Sequence, residues 1–524
     1  MPPTRSAAEI GRGLAPARAP RPIVRGERIH VVGAAGAGAS AAALLAHHAG
    51  ASVSGCDPGG PSPYSPPLAA AGIVIDWRHD PAHVREALGG PALVDRVCVT
   101  KALTSIAPDH PELEAARRSG VPVEAWQQAI ADAVSTQGGR LVALAGTHGK
   151  STSTGWLVHL LASAGVDPAA FVGAAMDPEL AGGLPATARW GRGDAFVVEA
   201  DEYAGNFDAY RPEIAVVLNI EWDHPDVFAD EDAVIETFQG WLRRPTSSGA
   251  GPRTLVANVG SAGVVRLLER LSDWDGRIVR VRLAQDDEGA EESDPGAAQI
   301  AGRLLDRPDR SATLVIRGLE PGTMVSARLP LVGRHNAENA LAVAAAAHEL
   351  GVSGPAIRAG LESFPGVGRR MELKGEIGGV VVVDDYAHHP TAIAATIAAV
   401  RSRYPGRRLW AVYEPLTYHR TAALLDGFSR VLATADRVLI ADIWAGRDPD
   451  TTITSASALA TAVASSGLPS AAASGPVEQT ADILAAEVEP GDIVLVMGGG
   501  RSYVVADRLV HLLRLRTGGR TGAG

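Results

Sequence analysis

The segment from Leu141 to Thr152 constrains the fold of this chain more than any other. A short apolar strand runs into the loop Gly-Thr-His-Gly-Lys-Ser, and a helical pattern follows from Trp156 to Leu161. Glycines allow several backbone N–H groups to surround one anion, and the N-terminus of the next helix adds a partial positive charge. This order predicts a phosphate-binding loop. A glycine-rich turn that only ends a strand is the alternative, and the Gly-Lys-Ser sequence makes it the weaker one.

The loop indicates how a nucleoside triphosphate is bound. Lys150 is expected to reach the β- and γ-phosphates, and the hydroxyl of Ser151 is expected to help hold Mg²⁺. The stricter P-loop pattern has a glycine where this chain has Leu144, so the loop is a shortened variant. The predicted nucleotide contacts on the loop are Gly146, Thr147, His148, Gly149, Lys150, Ser151 and Thr152.

Strand and helix patterns alternate in three blocks, which predicts an α/β protein of three domains. The first and third blocks are Rossmann-like, and the central block is typical of a P-loop ATPase with a mostly parallel sheet. An N-terminal segment rich in Arg and Pro has no apolar region typical of a signal peptide. The predicted division is a disordered leader over 1–27, domains over 28–137, 138–364 and 365–515, a flexible tail over 516–524, and a solvated acidic loop over 285–295.

The first block carries a glycine-rich turn between a strand and a helix. An acid, Asp57, follows the next strand, and its carboxylate could accept hydrogen bonds from ribose hydroxyls. This pattern is weak by itself, because small residues at such a turn can also serve close packing of helix and sheet. The candidate nucleotide-binding residues of this block are Gly33, Gly36, Gly38, Ser40 and Asp57.

Composition excludes several other classes of protein. The formal net charge of -11 argues against a general nucleic-acid binder. Cys56 and Cys98 form no C-x-x-C pair, so neither a zinc site nor a disulfide framework is indicated, and a cytoplasmic protein is expected. No run of about 18 uncharged apolar residues occurs, so no membrane span is predicted.

A Mg·ATP site also needs hard oxygen ligands beyond the phosphate loop. Glu199 and His224 are each expected to end a strand of the central block, and the carboxyl ends of parallel strands meet where ligands bind. Taken alone, Glu199 and Asp201 are as well explained as helix-capping carboxylates, and His224 as a capping or core histidine. In combination with Lys150, the functional interpretation is favoured.

Six motifs in a fixed order make the chain resemble the Mur ligase family, the ATP-dependent amide-forming ligases of peptidoglycan synthesis. The resemblance covers the chain from about residue 28 to 515. The motifs are Gly146-Thr-His-Gly-Lys150, Glu199-Ala-Asp-Glu202, Asn219-Ile-Glu-Trp-Asp-His224, Gly333-Arg-His-Asn-Ala-Glu-Asn339, Gly366-Val-Gly-Arg-Arg370 and Asp384-Asp-Tyr-Ala-His-His-Pro390.

The resemblance implies an activity and its partners. A UDP sugar would occupy the first domain and Mg·ATP the central one. The alanine-adding branch of the family would join L-alanine to the lactyl carboxylate of UDP-N-acetylmuramate through an acyl phosphate.

The resemblance also implies roles for individual residues. Lys150 would contact phosphates, Glu199 with His224 would bind a second Mg²⁺, Asn336 and Asn339 would approach the adenine, Arg370 would come from a hinge, Asp385 would lie near the nucleotide, and Tyr386 and His388 would lie near the amino acid.

The chain departs from the family pattern at two places. Ala35 replaces a glycine of the first loop, and its methyl group is either accommodated or weakens UDP binding. In Glu414-Pro-Leu-Thr-Tyr-His-Arg-Thr421, Leu416 replaces a histidine and His419 a small hydroxyl residue. Arg420 is kept and could pair with the carboxylate of the amino acid. No lysine occurs from Trp222 to Pro245, which fits the alanine-adding branch.

Three alternatives stay open at this level. A ligase that attaches a recycled tripeptide to UDP-N-acetylmuramate would carry similar phosphate and metal motifs. A ligase-like protein that binds a nucleotide sugar without catalysis would explain the altered segment around Leu416 and the presence of Ala35. A plain ATPase or kinase would not need the first domain.

Overall fold

The computed structural model describes residues 4–86, 93–246, 253–284, 298–306, 312–446, 448, 450–468 and 470–518. These residues form three β-sheets, which confirms the predicted three-domain α/β architecture. The acidic loop predicted over 285–295 lies outside the described residues.

The first sheet has five parallel strands in the order β3-β2-β1-β4-β5. Its central strands are almost completely buried, as expected for a parallel sheet covered on both faces, and their buried residues include the polar His30 and Arg96. The strands are β1 (Arg28–Val32), β2 (Ser52–Cys56), β3 (Val74–Asp76), β4 (Arg96–Val99) and β5 (Val123–Ala125). The helices are α1 (Ala7–Ile10), α2 (Ala37–His48), α3 (Ser65–Ala70), α4 (His83–Glu86), α5 (Lys101–Ile106), α6 (Pro111–Arg118) and α7 (Trp126–Gln137).

The second sheet has ten strands in the order β15-β14-β13-β12-β11-β10-β6-β9-β7-β8. The seven strands from β13 to β7 in that order run parallel, and β8, β14 and β15 are antiparallel to their neighbours at the two edges. The strands are β6 (Arg140–Ala145), β7 (Ala169–Met176), β8 (Ala186–Arg189), β9 (Ala195–Ala200), β10 (Ile214–Val217), β11 (Thr254–Asn258), β12 (Arg277–Leu283), β13 (Ile300–Asp306), β14 (Ala312–Arg317) and β15 (Met324–Leu329). The helices are α8 (Lys150–Ser163), α9 (Pro178–Ala181), a 3-10 helix (Tyr203–Ala209), α10 (Glu231–Leu242), α11 (Ala262–Arg270), α12 (Arg334–Glu349) and α13 (Gly354–Glu362).

The third sheet has six strands in the order β16-β17-β21-β18-β19-β20, and all of them except β16 are parallel. The strands are β16 (Glu372–Ile377), β17 (Val380–Asp385), β18 (Leu409–Glu414), β19 (Arg437–Ala441), β20 (Ala472–Gly475) and β21 (Ile493–Gly498). The helices are α14 (Pro390–Arg403), α15 (Tyr418–Ala423), α16 (Leu425–Leu432), α17 (Ala456–Ser465), α18 (Val477–Glu487) and α19 (Ser502–Gly518). Because α19 is helical to Gly518, residues 516–518 are not the flexible tail predicted there.

The chain divides into two compact units. One contains the first two sheets, over Arg5–Trp222 and Val227–Val367. The other contains the described residues of Gly368–Gly524 together with the short segment Asp223–Asp226. Among the helices of the described residues, none is long and apolar enough to cross a bilayer.

The predicted disordered leader is wrong for its described part, residues 4–27. Ile10 is fully buried and packs with Tyr203 and Ala204 of the 3-10 helix. Arg18 donates to Asp132 on α7 at 2.7 Å and to Glu124 on β5 at 2.8 Å. The arginines of this segment suggest a solvated tail when only their neighbours in sequence are considered. The carboxylate partners of Arg18 lie 106 and 114 positions away, so no local pattern shows this pairing.

Replacing Arg18 with alanine is expected to loosen α7. Asp132 is fully buried and is shared between Arg18 and Arg96, so the variant leaves its charge with one cation. Loss of a partner from a buried charged group costs about 1–3 kcal/mol. Arg12→Ala is the control, because Arg12 and Asp109 form an exposed pair worth about 0–1 kcal/mol. Hydrogen exchange of α7 amides measures the opening free energy, and equal exchange in the two variants would contradict the role of Arg18.

The segment after β10 differs from the prediction that His224 ends a strand. The strand stops at Val217, and residues 218–224 form a loop. Side chains satisfy the backbone of this loop in place of a neighbouring strand: Asn258 donates to the carbonyl of Leu218 at 2.9 Å, and Ile220 N–H donates to Ser261 at 3.2 Å. Glu199, in contrast, lies one residue before the end of β9, close to its predicted position.

Candidate active site

The phosphate loop joins β6 to α8, as the sequence predicts. Gly149 is the N-cap of α8 and has a left-handed backbone with φ 79°. A Cβ atom at this position would lie 2.5 Å from Oδ1 of Asn339, so both the backbone angle and the space require glycine. The close approach places Asn339, a predicted nucleotide contact on α12, directly against the loop. Ser151 and Thr152 are buried in the first turn of α8.

Asn219, which begins one of the six motifs but had no predicted role, fixes the shape of the loop. Its side chain accepts from His148 N–H at 2.8 Å and donates to the His148 carbonyl at 3.1 Å, while its own carbonyl accepts from Thr147 N–H at 3.2 Å. Thr147 in turn accepts from the N–H of Glu221 at 2.9 Å. Asn219 follows β10 by two residues, and a polar residue after a buried strand was the available signal.

Lys150 lies in a cluster of acceptors at the start of α8. Its ammonium group donates to the carbonyl of Gly146 at 2.7 Å and to Glu202 at 3.1 Å, and it is 3.5 Å from Asp201. Burial opposes the charge, but Glu202, Asp201 and Glu199 outweigh it and raise the pKa of Lys150 above its ordinary value. Lys150 is therefore a permanent cation here. Glu202 is almost fully buried, and it was part of a quoted motif without an assigned role.

Ser151 and Glu199 bring two hard oxygen atoms together beside the loop. The hydroxyl of Ser151 donates to Oε1 of Glu199 at 3.1 Å. Oε2 of Glu199 accepts from Gly173 N–H on β7 at 2.7 Å, which holds the carboxylate across the sheet edge. Two adjacent ligand oxygens of an octahedral Mg²⁺ are about 3 Å apart, given Mg–O distances near 2.1 Å. The pair fits this requirement.

Asn336, the other predicted contact on α12, has a buried side chain that donates to the carbonyl of Val332 at 2.8 Å. Burial lowers the pKa of the neighbouring His335 to about 4, so this ring is neutral at physiological pH. Both residues belong to the first turn of α12. Because both side chains are uncharged, their position suits contact with an uncharged group better than contact with a phosphate.

The residues predicted to bind the nucleotide sugar converge on the turn between β1 and α2. Asp57 accepts from Ala35 N–H at 3.0 Å and from Gly59 N–H at 2.9 Å, so the carboxylate orders the turn itself. Ser40 is buried and donates to the Tyr64 carbonyl at 3.2 Å. The remaining members are Gly33, with φ 79°, Gly36, which is the N-cap of α2, and Gly38 in the first turn.

Gly38 serves packing. A Cβ atom there would overlap the ring of Trp126 at the start of α7, so glycine lets the two helices approach. Ala35 is not among the described residues with positive φ, and alanine therefore causes no backbone strain where the family has glycine.

In the second compact unit, Arg370 and Tyr386 lie together. The guanidinium of Arg370 stacks 4.8 Å from the centre of the Tyr386 ring. Arg369, which belongs to the motif ending at Arg370 but had no predicted role, lies 5.0 Å from the same ring and pairs with Asp384 at 3.2 Å. Arg369 and Met371, the residues on either side of Arg370, have left-handed backbones with φ 57° and 54°. Backbone strain of this kind is often found at functional sites.

Asp385 and His388 follow β17 and have defined hydrogen bonds. The carboxylate of Asp385 accepts from Met371 N–H at 2.7 Å and Ala387 N–H at 2.8 Å, and burial raises its pKa. Nδ1 of His388 is 2.8 Å from the Tyr386 carbonyl, so Nδ1 carries the proton. Burial and the charge of Arg420 hold the pKa of His388 well below its ordinary value. His388 is therefore a neutral imidazole whose Nε2 is unprotonated.

Arg420 lies at the start of α15 in a buried contact with Asp223 and His224. It donates from Nε to Asp223 at 2.8 Å and from Nη2 to Nδ1 of His224 at 3.0 Å. Its Nη1 has no hydrogen-bond partner among the described residues. His224 has a left-handed backbone with φ 54°, and its Nδ1 accepts the hydrogen bond from Arg420. No local sequence pattern indicates that Asp223 orients this arginine, because the two residues are 197 positions apart.

The altered family segment forms a defined structure. Leu416 is buried and pairs with Trp444 in an isolated bridge. The backbone N–H of His419 and its Nδ1 lie 3.0 and 2.9 Å from Asp448, which fixes the ring. The two substitutions are therefore accommodated without disturbing Arg420.

Three family models match the chain in order. The model described as "Mur ligase family, catalytic domain" matches residues 28–137. "Mur ligase middle domain" matches residues 144–347, and "Mur ligase, glutamate ligase domain" matches residues 369–500.

Relatives over nearly the whole chain carry one name, UDP-N-acetylmuramate–L-alanine ligase. The protein of this name from Frankia casuarinae is 38% identical over 447 residues, which are 81% of this chain and 84% of the relative. The protein from Kineococcus radiotolerans is 38% identical over 501 residues, covering 94% of this chain and 98% of the relative.

Solved structures agree on the fold. The UDP-N-acetylmuramate-alanine ligase of Thermotoga maritima aligns with a TM-score of 0.73 at 21% identity, over 94% of this chain and 99% of that one. A murein peptide ligase of Psychrobacter arcticus aligns with a TM-score of 0.68 at 25% identity, over 93% and 99%. From the three matched domains and the relatives of similar length, the chain belongs to the Mur ligase family, and it is an ATP-dependent ligase that forms amide bonds.

Proposed function

We propose that this protein joins L-alanine to the lactyl carboxylate of UDP-N-acetylmuramate, with ATP converted to ADP and phosphate, in the cytoplasmic synthesis of peptidoglycan precursors. The observation that carries the proposal is the 38% identity, over 94% of the chain, to a protein named for this reaction. The match includes the domain proposed to bind the sugar nucleotide as well as the ATP-binding domain. A plain ATPase or kinase would not need that domain.

ATP is proposed to bind along the phosphate loop. Lys150 supplies a permanent positive charge at the start of α8, and the loop N–H groups held by Asn219 supply hydrogen-bond donors. Asn336 and Asn339 of α12 are proposed to contact the neutral base. The triphosphate would replace Glu202 and Asp201 as the partner of the Lys150 ammonium group.

Magnesium is proposed to bind at Ser151 and Glu199, whose oxygen atoms have the spacing that the ion needs. When bound, the ion would supply positive charge that offsets the repulsion between the phosphates and the incoming carboxylate. The resemblance to the family implies a second Mg²⁺ at Glu199 and His224, and Arg420 donates to Nδ1 of His224. Turnover is expected to stop on addition of a chelator and to return with excess Mg²⁺.

Activation of the carboxylate follows from its chemistry. A free carboxylate is a poor acyl donor because its leaving group would be oxide, whereas an acyl phosphate releases phosphate. The lactyl oxygen would attack the γ-phosphate, and Lys150 and Arg370 would offset the charge that develops. Because an acyl phosphate is hydrolysed by water, the site must exclude solvent during the second step.

Attack on the acyl phosphate needs the amine of L-alanine in its neutral form. His388 is a neutral imidazole in this structure, and its unprotonated Nε2 is proposed to accept a hydrogen bond from the incoming amine and so to orient it. Arg420 is proposed to pair with the alanine carboxylate through Nη1. Tyr386 would cover the same site while it stacks on Arg370.

Phosphate release by the purified protein tests the proposal. The reaction contains Mg·ATP and UDP-N-acetylmuramate, and L-alanine, glycine, L-serine and the recycled tripeptide are compared, with products identified by mass. Release that requires both the UDP sugar and L-alanine, and yields the alanyl adduct, is expected. Activity with the tripeptide alone would move the protein to the recycling ligases, and sugar binding without turnover for any acceptor would contradict catalysis.

A further inference from the structure

Four side chains that can bind a transition metal converge beneath the first sheet. His30 lies on β1, Cys56 ends β2, His83 begins α4, and Glu112 lies in the first turn of α6. One ligand atom from each lies within 4.8 Å of the others, and all four residues are buried. None of the four has a role in the proposed reaction, and the cluster lies within one compact unit.

The distances within the cluster suit a small tetrahedral ion. Oε1 of Glu112 is 3.0 Å from Nε2 of His30 and 2.8 Å from Nδ1 of His83, and its Oε2 is 3.4 Å from Sγ of Cys56. Ligand atoms at about 2.0–2.3 Å from a zinc ion are separated by roughly 3.3–3.7 Å in a tetrahedral site. Small outward shifts of the side chains would therefore admit the ion.

Hydrogen bonds to groups outside the cluster orient both imidazoles, so that the opposite nitrogen of each ring faces Glu112. Nδ1 of His30 is 2.9 Å from the hydroxyl of Ser54, and Nε2 of His83 is 3.1 Å from the carboxylate of Asp76. Metal-binding histidines almost always donate their second N–H to such a group, which fixes the tautomer and the ring orientation. Both histidines have this outer partner already in place.

The two carboxylates around His83 also suit a cation. Its Nδ1 is 2.8 Å from Oε1 of Glu112, and its Nε2 is 3.1 Å from Asp76. With a metal ion at Nδ1, Nε2–H would donate to Asp76. The Sγ atom of Cys56 lies 3.4 Å from Oε2 of Glu112 and 3.3 Å from Nδ1 of His79.

Charge balance points to a divalent ion. A thiolate from Cys56 and the carboxylate of Glu112 together carry two negative charges, and two neutral imidazoles add none. A divalent cation would therefore give a neutral site, which is the state that a buried position tolerates. Metals bind cysteine as the thiolate, so binding would release the proton of the Cys56 thiol.

We propose that His30, Cys56, His83 and Glu112 form a structural binding site for a divalent transition metal such as Zn²⁺. Four protein ligands complete a tetrahedral shell, so the site stabilises the domain and leaves no position for a substrate. The ion would tie β1 and β2 to α4 and α6. The residue after Cys56 is Asp57, which orders the turn proposed to hold the sugar nucleotide, so the metal would also fix that turn.

Cobalt binding tests the site in the full-length protein. Metal-free protein is titrated with Co²⁺ under reducing, anaerobic conditions. One equivalent is expected to produce the intense near-ultraviolet band of a cobalt–thiolate bond together with visible bands of a tetrahedral ion, and Zn²⁺ should displace it. The proposed Mg²⁺ site has only oxygen and nitrogen ligands and cannot produce the thiolate band.

Variants then assign the ligands. Cys56→Ser should abolish the thiolate band, and Cys98→Ser, which alters the other buried cysteine, should keep it. Asp76→Asn should weaken Co²⁺ binding by about 10–100-fold through loss of the outer hydrogen bond to His83. X-ray absorption of the zinc-loaded wild-type protein should show one sulfur and three nitrogen or oxygen neighbours. Absence of the band in the wild type, its persistence in Cys56→Ser, or a zinc shell without sulfur would overturn the proposal.

Discussion

Replacing Lys150 with methionine is expected to abolish ligation, with a loss on the order of 3 kcal/mol or more in transition-state stabilisation, or at least about a hundredfold in kcat. Methionine keeps the length of the side chain and removes its charge. The raised pKa of Lys150 means that the wild-type residue is charged over the whole working pH range. Affinity for the UDP sugar should not change, and calorimetric titration with the sugar nucleotide checks this.

The variant also leaves the buried carboxylate of Glu202 without its cation, so a loss of activity could come from misfolding. The double variant Lys150→Met/Glu202→Gln removes both charges and separates the two causes. It should recover thermal stability relative to the single variant and remain inactive. Lys374→Met is a control, because Lys374 is an ion-paired lysine of the other compact unit. Substantial ligation by the double variant would refute the proposed role of Lys150.

Arg420→Ala is expected to lower the free energy of unfolding by about 3–5 kcal/mol, the usual cost of removing one partner of a buried ion pair. The variant leaves the buried charge of Asp223 without its arginine partner, because the Asp223 side chain is almost completely buried. Thermal unfolding of the variant measures the effect. Arg430→Ala is the matched control, since Arg430 is an exposed arginine of the neighbouring helix α16, and it should leave stability almost unchanged.

The effect of Arg420 on stability should depend on pH. Burial opposes the charged form of Asp223, but Arg420 and His224 outweigh it and hold its pKa well below the ordinary value. A carboxyl group with a depressed folded-state pKa adds stability above its unfolded pKa, near 4, and loses it as the pH falls through the folded value. The difference between wild type and Arg420→Ala should therefore shrink below about pH 4. A constant difference down to pH 2 would contradict this explanation.

Arg420 is also expected to determine the affinity for the amino acid. In Arg420→Ala the KM for L-alanine should rise much more than the KM for ATP, because the proposed carboxylate partner is lost. The double variant Arg420→Ala/Asp223→Asn should recover part of the stability, since no buried charge remains unpaired, yet keep the raised KM for L-alanine. A normal amino-acid KM in the double variant would mean that another residue binds the carboxylate.

Local patterns determined the fold class because each domain is built from strands and helices with their own periodicity. The phosphate loop was predictable for the same reason: its strand, glycines, lysine and helix are contiguous in sequence, and together they specify the local backbone. The position of Glu199 next to Ser151 also followed, because neighbouring parallel strands bring their carboxyl ends to one edge.

Predictions failed where the stabilising partner is distant in sequence. The leader was expected to be disordered, but Arg18 meets Asp132 at a separation of 114 residues. His224 was expected to end a strand, but the strand stops at Val217, and Asn258 and Ser261 bind the backbone of Leu218 and Ile220 in the loop that follows. In both cases polar side chains that look solvated in sequence find buried partners from other elements.

The sequence by itself therefore determined the three α/β domains, the phosphate loop and the order of the family motifs, because these depend on residues close together in the chain. Only the tertiary structure decided which polar groups pair in the interior. It joined Arg420 to Asp223 across 197 residues and His30 to Glu112 across 82. Such pairs form when folding removes both groups from water and each must find a partner, and no short-range pattern encodes which partner that is.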